Sequence, residues 1–157
     1  MTEEERTSDR VFVLPWPAPE LSPNVHVAWP GRARAVKTAR LIAWALALEW
    51  KGEQDRWTPL VPPVTADITF VVTDRRRLDA DNMLARLKPT WDGFVDAGLL
   101  DDDSAEKFRF GVIGFERGPK RQVLVRLRTG PGTKARGELR PEPAEGLVES
   151  EEMTFEA

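Results

Sequence analysis

Alternation of hydrophobic and polar residues predicts four β-strands in the central part of the chain. They cover residues 11–17, 66–73, 107–115 and 121–128. Pro15 and Pro17 end the first strand, because proline cannot donate a hydrogen bond to a neighbouring strand. Turn-forming residues at 117–120 separate the last two strands. We therefore expect strands 107–115 and 121–128 to pair as a β-hairpin.

Apolar residues at spacings of three and four predict two helices. The first runs from Arg32 to about Trp50 and is followed by Gly52, a typical helix stop. The second covers residues 81–97, and Pro89 inside it should kink or divide it. The order of elements is β-α-β-α-β-β, which predicts an α+β fold with a small mixed sheet and two main helices. One face of the first helix carries Val36, Ala39, Ala43, Ala47 and Trp50.

Charge is distributed unevenly along the chain. The formal net charge of −3 argues at first against a nucleic-acid-binding protein. Residues 1–10 carry a net charge of −2 and residues 137–157 carry −6, so residues 11–136 carry +5. We expect a flexible acidic N-terminus over 1–10, one folded domain over 11–136, and a disordered acidic tail over 137–157.

Composition excludes several classes of site. The chain has no Cys and no Tyr, and His26 is its single histidine. Thiolate zinc sites, cysteine or tyrosine nucleophiles and histidine-rich metal sites are excluded. Carboxylates, lysine and arginine remain for catalysis, and no organic cofactor is expected. The chain shows no targeting segment and no apolar run of membrane-spanning length, so we expect a cytoplasmic protein without membrane contact.

Acidic residues concentrate between positions 79 and 103. Asp79 and Asp81 lie two residues apart just before the second helix, where extended backbone points both side chains the same way. The run 101–103 is also acidic, and an antiparallel return of the chain could bring it beside them. Such a group of carboxylates is suited to Mg²⁺ or Mn²⁺. With the cations Arg75, Arg76, Arg77 and Lys88 nearby, the segment predicts phosphodiester hydrolysis, in which the metal activates water.

Each of these features also has a purely structural interpretation. Aspartate before a helix is commonly an N-cap, which would suffice for Asp79 or Asp81. The aspartates at 101–103 could form a solvated turn. The arginines at 75–77 could be an exposed charge run, and Lys88 could be a surface lysine. Order and spacing, rather than any single residue, favour the functional interpretation.

The order of motifs resembles the RusA family of Holliday-junction resolvases, of the phage and prophage type. The family pattern combines D-x-D-N, a lysine four residues before an aspartate, an A-G pair and a D-D pair. The matching positions are Asp79-Ala80-Asp81-Asn82, Lys88 before Asp92, Ala97-Gly98 and Asp102-Asp103. The segments Leu14–Pro17 and Ser22-Pro23-Asn24 are also similar to the family's N-terminal region. The resemblance covers residues 11–128 and implies a RusA-like fold.

This resemblance implies a homodimeric Mg²⁺-dependent endonuclease, acting in DNA recombination and repair, that binds a four-way DNA junction and nicks two opposed strands. It implies that Asp79, Asp81 and Asp103 hold the metal, with Asp102 adjacent, and that Lys88 lies near the scissile phosphate. Lys88 follows Asp81 by seven residues rather than four, and Ala85 occupies the unshifted position. The residues expected to contact DNA are Arg75, Arg76, Arg77, Arg32, Arg34, Lys37 and Asn24.

Two alternatives remain open at this point. The shifted lysine favours a non-catalytic protein that binds branched DNA with the same fold. A structural Ca²⁺ module is the less favoured alternative, because the loop glycine and bidentate glutamate of a calcium-binding hand are missing.

Overall fold

The computed structural model describes residues 10–53 and 60–129. The described residues form two compact units. The sheet unit contains residues 10–16, 60–77 and 104–129, and the helical unit contains residues 17–53 and 78–103. The tail predicted over 137–157, and the N-terminal segment apart from Arg10, lie outside the described residues.

The sheet unit is a four-stranded mixed sheet in the order β1-β4-β2-β3. Strand β3 is parallel to β2, whereas β4 runs antiparallel to both β1 and β2. The predicted α+β class and mixed sheet are therefore confirmed. The strands are β1 (Arg10–Pro15), β2 (Val64–Val72), β3 (Phe108–Arg117) and β4 (Gln122–Arg128).

The predicted hairpin between the last two strands is wrong. Strands β3 and β4 lie on opposite sides of β2, and each pairs with it. Strand β2 is buried at seven of its nine positions, which is typical of a central strand covered on both faces. A short turn joins two antiparallel strands, but it does not determine whether a third strand lies between them. The apolar character of β2 decides the pairing here.

Gly118 allows the connection from β3 to β4 to cross the end of β2. Its backbone N–H donates to the carbonyl oxygen of Val72 at 2.9 Å. A Cβ atom at this position would lie 2.6 Å from Cγ1 of Val71, which is closer than side chains tolerate. Glycine is required here because backbone and side chain approach so closely.

Large side chains fill the interior of the sheet unit. Phe12 and Phe70 are at most 1% exposed. Phe70 stacks on Phe115 with ring centroids 5.0 Å apart and meets the edge of Trp16 at 6.2 Å. At the register shift between β2 and β3, the carboxylate of Asp67 accepts the backbone N–H of Val112 at 2.9 Å. These contacts fix the sheet from which the loops at either end extend.

The helical unit contains a short 3₁₀-helix and three α-helices, namely α1 (Trp29–Gly52), α2 (Ala80–Ala85) and α3 (Lys88–Asp96). Helix α1 begins earlier than predicted, because Pro30 is accommodated in its first turn, where no backbone donor is needed. The predicted division near Pro89 is confirmed, since this residue lies in the first turn of α3. No helix in the described ranges is long and apolar enough to cross a membrane.

Helices α1 and α3 approach closely at Gly93. A Cβ atom there would overlap the carbonyl oxygen of Arg40 and would lie 2.8 Å from Cβ of Ala43. The guanidinium of Arg40 also donates to both carboxylate oxygens of Asp96, at 2.5 and 2.8 Å. Close packing at Gly93 and the salt bridge between Arg40 and Asp96 therefore hold α3 against α1. Helix α3 carries Lys88, the lysine of the predicted site.

Candidate functional site

Asp79 caps the short helix α2. It lies at the N-cap position in extended backbone, and its Oδ1 accepts the backbone N–H of Asp81 at 3.0 Å. A cap of this kind contributes about 1 kcal/mol to helix stability. Asp79 and Asp81 are both exposed at the start of this helix. The structural interpretation of Asp79 as a cap is thus confirmed, and metal binding by either residue stays a prediction.

Asn82 connects the D-x-D-N segment to a distant polar loop. Its Nδ2 donates to Oγ of Ser22 at 2.7 Å, across 60 residues of sequence. The same Oγ accepts the backbone N–H of Asn24 at 3.1 Å. Ser22 is only 2% exposed, so these hydrogen bonds are shielded from water. Two segments that the RusA resemblance identified separately are therefore joined.

Lys88 lies between two carboxylates, and we call Lys88, Asp92 and Asp103 the lysine cluster. Its Nζ is 2.7 Å from Oδ1 of Asp92, one helical turn along α3, and 2.5 Å from Oδ2 of Asp103. Hydrogen bonds to Asp103 and then Asp92 raise the pKa of Lys88 above its usual value. The Lys88 side chain is 60% exposed, so a ligand can reach the ammonium group.

Two of the predicted metal ligands, Asp79 and Asp103, already have hydrogen-bond partners within the protein. No group of three or more His, Asp or Glu in residues 10–53 and 60–129 is placed to hold a metal ion. Asp103 pairs with Lys88, while Asp79 accepts the backbone N–H of Asp81 at the start of α2. Asp102 is half-buried in the loop before Asp103. The donors therefore fit a hard cation in their chemistry, as oxygen ligands, but not in their placement.

The cations predicted to contact DNA fall in both units. Arg75, Arg76 and Arg77 are exposed in the loop that follows β2, within the sheet unit. Arg34 and Lys37 are exposed on α1, within the helical unit.

Arg32 has a structural role that the sequence did not predict. Its Nη1 donates to the carbonyl oxygens of Glu20 and Ser22, at 3.3 and 3.2 Å. These bonds tie the start of α1 to the loop that contains Asn24, which is itself exposed. A direct contact of Arg32 with DNA stays a prediction.

Two side chains of the site had no role in the sequence-based prediction. Asp92 belongs to the family pattern but was assigned no role, although it pairs with Lys88. Arg86 donates through Nε to Oδ1 of Asn82 at 3.1 Å and so holds the amide that bonds Ser22. Both pairs have the spacing i, i+4, which places side chains together on a helix surface. This spacing was the available signal.

Comparison with known proteins gives a distant enzymatic relative. No protein-family model matches the chain. The chain is 42% identical over 100 residues to an uncharacterized protein of Xylella fastidiosa, covering 58% of this chain and 59% of that protein. It therefore spans less than two thirds of the length of that relative. It is 29% identical over 100 residues to the crossover junction endodeoxyribonuclease RusA of Aquifex aeolicus, covering 63% of this chain and 76% of that protein. This second similarity supports a RusA-like interpretation.

Proposed function

We propose that this protein is a metal-dependent endonuclease that cuts branched DNA, with the four-way junction as its substrate. The contact between Lys88 and Asp103 carries the proposal. These residues belong to separate motifs, 15 positions apart, and their side chains meet at 2.5 Å. The distant similarity to RusA supports the proposed class of reaction.

The proposed cofactor is Mg²⁺, with Mn²⁺ as a substitute. Asp79, Asp81 and Asp103 are the proposed ligands, with Asp102 adjacent. When bound, such an ion supplies Lewis-acid stabilisation of charge at a phosphate. Since Asp103 is paired with Lys88, the proposal requires this carboxylate to give up the ammonium group before it can bind a cation.

The chain's own residues have distinct proposed roles. Lys88, whose pKa is raised, is positive at neutral pH, and its proposed role is to stabilise negative charge on the scissile phosphate. Asn82 positions the D-x-D-N segment through its bond to Ser22. The exposed cations hold the DNA backbone by charge. A homodimer is proposed as well, because two-fold symmetry matches the paired cuts in a four-way junction. The proposed DNA contacts are Arg75, Arg76, Arg77, Arg32, Arg34, Lys37 and Asn24.

Substitution of Asp81 tests the proposed reaction. Asp81→Asn should abolish Mg²⁺-dependent nicking of a labelled four-way junction, because a proposed ligand loses its charge. Junction binding should remain nearly unchanged, since removing a negative charge does not hinder the approach of DNA. Single-turnover cleavage and a gel-shift titration on the same preparation measure the two properties.

Asp101→Asn is the matched control. It removes the same charge from an exposed aspartate of the acidic run 101–103 that has no proposed role. Cleavage should persist in this variant. Retained Mg²⁺-dependent cleavage by Asp81→Asn would contradict the proposed role of Asp81. A wild-type protein that binds the junction but never nicks it would favour the alternative, a non-catalytic branched-DNA-binding protein.

A further inference from the structure

Two basic segments meet at one end of the sheet. Val72 at the end of β2 is in register with Arg117 at the end of β3, and Val71 is in register with Gln122 at the start of β4. The bond from Gly118 N–H to Val72 oxygen holds the connecting turn over this end. The loop 73–77 leaves β2 at the same place. The turn and the loop are therefore neighbours in space.

The loop and the turn carry six cations, and we call these six residues the basic end. All except Arg121 are exposed. The half-buried Arg121 places its guanidinium 4.7 Å from the ring centroid of Trp16, a cation–π contact that fixes its orientation. Against these cations stand the acids Asp74 and Glu116, so an excess of positive charge remains. The basic end comprises Arg75, Arg76, Arg77, Arg117, Lys120 and Arg121.

Asp74 lies among the arginines of the basic end. Its Oδ1 accepts the backbone N–H of Arg76 at 3.0 Å, and its Oδ2 is 3.4 Å from the guanidinium of the same residue. That backbone hydrogen bond holds the pKa of Asp74 below its usual range, and the charges of Arg76, Arg121 and Arg117 act in the same direction. Arginines from both segments are thus close enough to act on one carboxylate.

We propose that the basic end is a single phosphate-binding surface for the DNA backbone, to which the turn contributes Arg117, Lys120 and Arg121. The inference rests on the proposed function, because it takes DNA as the ligand. Like charges held together repel one another, and a bound polyanion removes this repulsion. The cations are exposed and spread over two loops, which fits a long backbone with repeated phosphates better than one small anion.

A salt titration tests the turn separately from the loop. Full-length wild type and Arg117→Gln/Lys120→Gln are titrated against a labelled four-way junction between about 50 and 200 mM salt. If both side chains contact phosphates, the slope of log Kobs against log salt concentration should fall in magnitude by about 2, at roughly 0.9 per contact. Arg121 is left intact because of its contact with Trp16.

Arg109→Gln/Arg126→Gln is the matched control. It removes the same charge from two exposed arginines near the opposite end of the sheet, in register with Thr65 and Asp67. The slope of this variant should equal that of wild type. Equal slopes for all three proteins, or equal reductions in the two double variants, would overturn the proposal.

Asp74→Asn provides a change in the opposite direction. Asparagine keeps the acceptor oxygen for Arg76 N–H but removes a negative charge from the basic end. Junction affinity at low salt should rise severalfold, which a damaged fold would not produce. Unchanged or weaker binding would contradict the proposal.

The binding surface and the proposed catalysis can fail separately. If the salt dependence of the turn variant is reduced while wild type never nicks the junction with Mg²⁺, the proposed catalysis fails and the binding surface stands. A wild type without DNA affinity at low salt overturns both.

Discussion

Lys88 contacts one carboxylate of its own helix and one carboxylate of a loop that follows the helix. Its pairing with Asp92 follows from helical spacing, because side chains four residues apart share one helix face. Its contact with Asp103 does not follow from any local rule, since a helix end and an irregular loop separate the two residues. Lys88 lies three residues further along the chain than the lysine of the shorter family members. The structure nevertheless brings it to an aspartate of the D-D pair.

Lys88→Gln should slow junction cleavage by about 10² to 10³-fold, a magnitude typical of losing one group that stabilises transition-state charge. Junction affinity should change little, because many other cations remain. Single-turnover rates at saturating enzyme measure the first effect, and a gel shift measures the second. An unchanged rate would remove Lys88 from the proposed reaction.

The pH dependence of the ratio of wild-type to Lys88→Gln cleavage rates follows from the charge of Lys88. When Asp103 binds a metal, the hydrogen bond to Asp92 still raises the pKa of Lys88. A raised pKa means that the ammonium group is fully charged below the usual value of 10.5, and that its charge is lost only as pH rises through the higher folded value. The ratio of wild-type to Lys88→Gln rates should therefore stay constant from about pH 7 to about pH 10. A ratio that falls within this interval would contradict the charged state of Lys88 that its hydrogen bond to Asp92 maintains.

At the scale of elements, the contact between α1 and α3 depends on Gly93. Gly93→Ala should lower the free energy of unfolding by about 1–3 kcal/mol, because the added Cβ overlaps the carbonyl oxygen of Arg40. Urea unfolding followed by circular dichroism measures the change. Gly52→Ala is the control, since nothing lies within 4 Å of a Cβ there. Equal stability of the two variants would contradict the close approach of α1 and α3.

Local sequence signals predicted the helices and strands themselves better than they predicted which strands pair with one another. The division of the second helix was readable, because proline cannot continue a helical hydrogen-bond ladder. The pairing of β3 and β4 was not, because the turn at 117–120 is compatible with a hairpin and with a crossing over β2. The glycine that makes this crossing possible looked like an ordinary turn residue. Sheet order depends on which strand is covered on both faces, and this is a property of the whole fold.

At the scale of the whole molecule, the distribution of charge along the chain says more about possible ligands than the net charge does. The net charge of −3 includes acidic segments at 1–10 and 137–157, while residues 11–136 carry +5. The structure locates part of this positive charge at the basic end. The sequence identified Arg75, Arg76 and Arg77 as a run, but the strand order was needed to place Arg117 and Arg121 near them. The lysine cluster likewise depends on three-dimensional proximity.

Nicking of a four-way junction by the wild-type protein is the decisive test of the proposed function. A junction labelled on each strand in turn is incubated with full-length protein in Mg²⁺ or in excess EDTA, beside a duplex of matched sequence. The proposed function predicts paired nicks in two opposed strands with Mg²⁺, an intact junction in EDTA and an uncut duplex. A junction that is bound but stays whole under both conditions would contradict it.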